Sequence, residues 1–172
     1  ILEQGSNTVT EIASDRFDWR EIYGGPQAGE GKSVSKWGGY LPGIREFDPL
    51  FFQIAPREAT SMDPRQRLLL QESWKALEDA GQGPHLLKKN KVGVFVGAEE
   101  GDYGRIAPGL GVTSNHNGIL ASRLSYFLDL EGPAIAINTA CSSGLVAMHQ
   151  ACASLRAGDC SMAIAAAANL IL

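Results

Sequence analysis

The chain has 172 residues, 44% hydrophobic and 20% charged, which suits one globular domain or a piece of a larger one. A net charge of −4 without any basic run argues against nucleic acid as a partner. The longest apolar stretch, 162–172, falls short of the ~20 residues that a bilayer span needs. Three cysteines spaced by eleven and eight residues fit neither a zinc signature nor a disulfide framework, and point to a reducing, cytoplasmic setting.

Residues 1–61 read as a loop-rich lead-in with little periodicity, and residues 1–11 lack the apolar core of a signal peptide. The run Gly25-Pro26-Gln27-Ala28-Gly29-Glu30-Gly31-Lys32-Ser33 superficially resembles a phosphate loop. Five residues rather than four separate Gly25 from Gly31, Pro26 stands where the first glycine should fall, and no strand precedes it. A solvated loop is the better reading.

From residue 62 to 172 helices and strands alternate. Asp63-Pro64 opens the clearest helix, with Asp63 as N-cap and Gln66 placed to close a capping box. Leu70, Trp74 and Leu77 form its apolar stripe and Gly81 ends it. Residues 92–97 read as a strand buried on both faces, 101–113 as an irregular glycine-rich segment, and 115–128 as a second helix. Gly132-Pro133 breaks the chain before a strand over 134–137. A helix then carries Leu145, Met148, Cys152 and Leu155 at apolar spacing and stops at Gly158. Residues 162–172 read as a buried strand, and its abrupt stop, like the start at Ile1-Leu2-Glu3, suggests a truncated chain. The alternation argues for an α/β fold with a mainly parallel sheet and helices on both faces.

Asn138-Thr139-Ala140-Cys141-Ser142-Ser143-Gly144 falls where a strand ends and a helix begins, a place for a nucleophile elbow over residues 138–144. Free amide groups and the positive end of the helix dipole favour a thiolate there, and Ser142 and Ser143 can cap the helix without blocking the sulfur. The competing reading of any cysteine among alanines is a small buried hydrophobe. Cys152, on the apolar face of its helix, and Cys160, after the turn at Gly158-Asp159, take that reading. On local chemistry alone Cys141 stands evenly between the two.

Further stretches carry a resemblance. They are Trp37-Gly38-Gly39-Tyr40, Phe47-Asp48-Pro49-Leu50-Phe51-Phe52, Pro56-Arg57-Glu58-Ala59 and Met62-Asp63-Pro64-Arg65-Gln66-Arg67-Leu68. Trp74-Lys75-Ala76-Leu77-Glu78-Asp79-Ala80-Gly81, Val92-Gly93-Val94-Phe95-Val96-Gly97, Ser125-Tyr126-Phe127, Gly132-Pro133 and Thr139-Ala140-Cys141-Ser142-Ser143 follow in order. With these, the whole chain, 1–172, resembles the N-terminal half of a ketosynthase (beta-ketoacyl synthase) domain of modular polyketide synthases.

That resemblance implies a thiolase-like fold of two similar α/β halves, a homodimer, and decarboxylative condensation between thioesters, as in polyketide or fatty acid biosynthesis. Cys141 matches the acyl-accepting cysteine, its backbone N–H forming part of the oxyanion hole. No cofactor or metal is implied on the chain itself, because substrates arrive on the phosphopantetheine arm of an acyl carrier protein. The family often has Asp where Asn138 stands and glycines where Ala166 and Ala167 stand. Asn138, Gly144 and the run Met148 to Cys152 resemble variants from systems with a separate acyltransferase.

The family's two catalytic histidines and its lysine belong to the absent C-terminal half. His149 lies about 12 Å along the helix from Cys141, too far to act as its base. It reads as a helix-surface or interface residue, with His116 near a helix start and His85 in a loop as structural residues. The expectation is an acyl-accepting half that cannot condense alone. The alternatives are part of a non-condensing carrier-binding domain, or a thiolase or fatty-acid-type condensing enzyme.

Overall fold

The computed structural model describes residues 3–107 and 111–172, so Ile1, Leu2 and part of the glycine-rich segment read as irregular lie outside the described residues. The chain divides into two compact units, Ile1–Ile44 and Arg45–Leu172. In the first, β1 (Val9–Glu11) pairs antiparallel with β2 (Trp37–Gly39), with Thr10 opposite Gly38. One turn of 3-10 helix, Trp19–Glu21, is capped by the Asp18 side chain. Lys36 pairs with Glu11 and sits over the Trp19 ring at 4.7 Å.

The second unit holds the sheet. Its elements are α1 (Pro56–Ser61), α2 (Pro64–Asp79), α3 (Pro84–Leu87), β3 (Val92–Gly97), α4 (Tyr103–Ile106) and α5 (Val112–Asn115). Then come α6 (Gly118–Phe127), β4 (Ala134–Ile137), α7 (Ser143–Ala157) and β5 (Met162–Ala167). The sheet is parallel with order β4-β3-β5. Gly97 lies opposite both Ile137 and Ala167, so all three strands end level.

All six residues of β3 are buried, as a central strand requires. Val92, Val94 and Val96 face one layer, packing with Leu69, Leu70, Leu120 and Leu124 of α2 and α6. Phe95 faces the other, with Ala147 and Ala151 of α7 and Cys160. The alternating α/β fold expected from the sequence is therefore present. Phe47, Phe51 and Phe52 explain one of the aromatic-rich stretches. Phe47 stacks on Phe52 at 5.1 Å, Phe51 meets Trp74 edge-on at 5.0 Å, and Phe52 meets Phe127 at 5.0 Å.

Several boundaries differ from expectation. The second helix does not begin at 115: α5 stops at Asn115, His116 is extended, and α6 starts at Gly118. The His116 Nδ1 accepts from the Gly118 N–H at 3.1 Å, which holds the break open. The final strand ends at Ala167 rather than 172 and is only partly buried, because β3 covers one edge alone. His85 lies within the short α3, not in a loop. α1 forms inside the segment read as loop, started by Pro56 at its first position. Gly81 does end α2: at φ +65° it permits Gln82 N–H to reach the Leu77 carbonyl at 2.8 Å.

Asp63 caps α2, its Oδ1 accepting from the Arg65 N–H at 2.8 Å. The capping box does not close. Gln66 instead donates through Nε2 to the carbonyls of Thr113, 3.1 Å, and Ser114, 3.0 Å, tying α2 to α5. Asp63 and Arg65 form a salt bridge of 2.7 Å with side chains only 1% and 2% exposed. Beside them, burial lowers the Arg67 pKa, with Tyr103 and Asp63 opposing.

Removing one partner of so buried a pair strands the other charge. Asp63→Ala in the intact protein is expected to cost about 3–5 kcal/mol of unfolding free energy, read from denaturant midpoints. The Asp63→Leu/Arg65→Met double variant should cost less, and a double variant as unstable as the single would refute the stranded-charge account.

Candidate active site

β4 delivers the chain to the level ends of the strands, and α7 leaves from the same place. Between them Ala140 takes φ +57°, a left-handed conformation that costs a non-glycine residue roughly 1–2 kcal/mol. The surrounding hydrogen bonds compel it. Asn138 Oδ1 accepts from the Ala140 N–H at 3.1 Å, and the Ala140 carbonyl accepts from the Ser143 N–H at 3.0 Å and from Ser143 Oγ at 2.6 Å. Ser143 Oγ accepts in turn from the Thr139 N–H at 2.9 Å. The reversal turns Cys141 outward, and it is exposed.

The two serines do not cap α7 as expected. Ser142 stands at the N-cap in helical conformation without a side-chain cap bond, and its Oγ lies 2.7 Å from the Thr139 carbonyl, donating to it. Both hydroxyls are spent on the turn itself, because a tight reversal leaves more unpaired backbone groups than a helix start alone. Asn138 serves as an acceptor that an aspartate would equally supply, so this departure from the family pattern leaves the turn intact.

Glycine permits the helix to start so close to the sheet. A Cβ on Gly97 would collide with the Ser143 carbonyl group, and one on Gly144 would lie 3.0 Å from the Ala167 Cβ. A cavity of about 330 Å³ opens beside Cys141, lined also by Gly97, Ala98, Glu99, Ala167 and Asn169. Glu99 and Asn169 went unnoticed in the sequence, since neither belongs to a motif or periodic pattern.

Cys152 is not the buried hydrophobe expected, because the apolar stripe of α7 faces outward. The buried residues of α7 are Ser143, Ala147, Ala151 and Ser154, all small, because close approach to the sheet leaves no room for more. Leu145 is 74% and Met148 55% exposed, and Cys152 is exposed beside them. Cys160 is buried, 3% exposed, against Phe95 and Gly93. His149 is exposed on α7, as are His85 and His116. Among the described residues no cluster of His, Cys, Asp or Glu could hold a metal, and no helix is long and apolar enough to cross a membrane.

A parallel sheet ending level, with an exposed cysteine on the turn into α7, can be set beside known proteins. The family profile described as beta-ketoacyl synthase, N-terminal domain, matches residues 1–172. The chain belongs to the beta-ketoacyl synthase family. It is 53% identical to polyketide synthase ThaG of Burkholderia thailandensis over 161 residues, covering 93% of this chain and 3% of that protein. It is 46% identical to polyketide synthase PksM of Bacillus subtilis, covering 98% of this chain and 4% of that protein. The oxazolomycin ketosynthase domain OzmH KS7 of Streptomyces albus superposes with TM-score 0.87 at 41% identity, over 98% of this chain and 31% of that one. The ketosynthase from module 6 of the Bacillus subtilis bacillaene synthase gives 0.86 at 40%, over 98% and 28%. These ketosynthase domains share the thiolase-like α/β fold, and this chain spans under a third of each.

Ser143→Ala would leave the Thr139 N–H without its acceptor. The expected result is a loss of about 1–3 kcal/mol in stability and faster amide exchange at Thr139. Exchange at the wild-type rate would show that Ser143 does not hold the elbow.

Proposed function

We propose that this chain supplies the nucleophile half of a ketosynthase that elongates acyl chains by decarboxylative condensation in polyketide biosynthesis. The observation that carries the reading is Cys141, exposed beside a cavity at the level carboxyl ends of three parallel strands. Its Sγ attacks the thioester carbonyl of an acyl group carried on the phosphopantetheine arm of an acyl carrier protein. The new C–S bond forms, the pantetheine C–S bond breaks, and the pantetheine thiol leaves with the proton. The Cys141 N–H, at the turn into α7, donates to the oxyanion of the tetrahedral intermediate. A malonyl-type carrier thioester then loses CO₂, and its enolate carbon attacks the Cys141 acyl group, expelling the cysteine sulfur.

The acid–base groups for decarboxylation come from a second half in this reading. His149 is exposed on the α7 surface, and His85 and His116 are exposed elsewhere. The outward stripe of Leu145, Met148, Cys152 and Leu155 supports such a half, because an apolar helix face of this kind needs cover. The free edge of β4, where Ile135 is exposed, supports the homodimer that the family resemblance implies. The chain by itself would accept an acyl group without completing condensation.

In the intact synthase, an acyl thioester or a cerulenin-type electrophile should add its mass to the peptide containing Cys141, and Cys141→Ala should abolish the addition. Labelling that survives that substitution at an unchanged level would sink the assignment. Cys152 should resist alkylation in the same intact protein although it is exposed on this chain. Equal reactivity at Cys141 and Cys152 would argue against a second half over α7.

A further inference from the structure

We infer that Glu99 sets the acyl preference of the Cys141 site, favouring acyl groups that carry a hydroxyl or amino hydrogen-bond donor close to the thioester. This rests on the acyl-accepting role proposed for Cys141. The walls of the cavity are nearly featureless: Gly97, Ala98, Ala140, Gly144, Ala167 and Ala168 offer no polar side chain. Ser143 also lines it, but its hydroxyl is committed to Thr139 and Ala140. Beyond the nucleophile, Glu99 and Asn169 are the remaining polar residues among the described ones that line this part of the space an acyl group would enter.

Glu99 is also held in place. Its carbonyl accepts from Arg65 Nη1 at 2.5 Å and from Asn117 Nδ2 at 3.1 Å. Arg65 is itself locked by the buried bridge to Asp63, and Gly101 leaves room for its guanidinium, which any Cβ there would strike. The backbone is clamped while the half-buried side chain pairs with no cation or donor among the described residues. A carboxylate lacking a partner, carried on a clamped backbone, gains from a donor and loses when a methylene displaces water from it. A wall of alanine alone would treat both acyl groups alike.

The test compares 3-hydroxybutanoyl and butanoyl N-acetylcysteamine thioesters on the intact condensing domain, following Cys141 acylation by intact-protein mass spectrometry. The hydroxyacyl group is expected to load at least about tenfold faster. Glu99→Ala should bring the two rates within about twofold, and Glu99→Gln, which keeps an acceptor, should retain part of the preference. Taking the ratio within one preparation cancels any loss of folded protein. Equal loading by the wild type, or a preference that Glu99→Ala leaves intact, overturns the inference alone. Failure of both thioesters to acylate Cys141 overturns the proposed function and the inference with it.

Discussion

The near-contact between the first turn of α7 and the ends of β3 and β5 governs this structure. Backbone meets backbone there, with Gly97 under the Ser143 carbonyl and Gly144 against Ala167. Such proximity, with Phe95 of β3 filling the layer, admits only small side chains on the inner face of α7, so Ala147, Ala151 and Ser154 face inward. Leu145, Met148 and Leu155 are displaced to the exposed side. The same approach lifts Cys141 to the sheet's rim, where a reversal at Ala140 turns it toward solvent. The packing of α7 and the exposure of Cys141 thus have one cause.

A second layer of constraint surrounds that contact. The buried Asp63–Arg65 pair does not stabilise much by itself, since desolvation offsets most of the attraction. Its consequence is positional. The guanidinium spans from the cap of α2 to the Glu99 carbonyl, fixing the strand exit beside the cysteine. Gln66 and Arg123 both donate to the Thr113 carbonyl and anchor the far end of the same segment. The wall of the cavity is held from behind by residues that never reach it.

Much of this was legible in the order of residues, and some of it was not. β3, β4, the end of α2 and the elbow follow from apolar runs and from glycine and proline punctuation, which act locally. The misreadings share a different origin. Leu145, Met148, Cys152 and Leu155 do form an apolar stripe, but periodicity cannot say whether this chain or another surface covers it. Gln66 had the spacing for a capping box, yet two carbonyls 47 and 48 residues away held its amide instead. His116 interrupted a helix that composition alone would have continued. For Gln66 a long-range partner outcompeted a local preference, and at His116 a side-chain bond to the Gly118 N–H did so within two residues.

The sequence by itself determined the α/β alternation and the place of Cys141 on a strand-to-helix turn, because strand and helix periodicities and turn chemistry are properties of neighbouring residues. It also carried the family, through ordered motifs spread along the chain. Only the tertiary structure decided which face of α7 is buried, that the serines of the elbow serve the turn rather than the helix, and that Glu99 and Asn169 share a cavity with Cys141. The buried face of α7 and the shared cavity depend on how closely distant backbones approach, and the role of the serines on a backbone reversal whose carbonyls lie three residues away; apolar periodicity encodes neither.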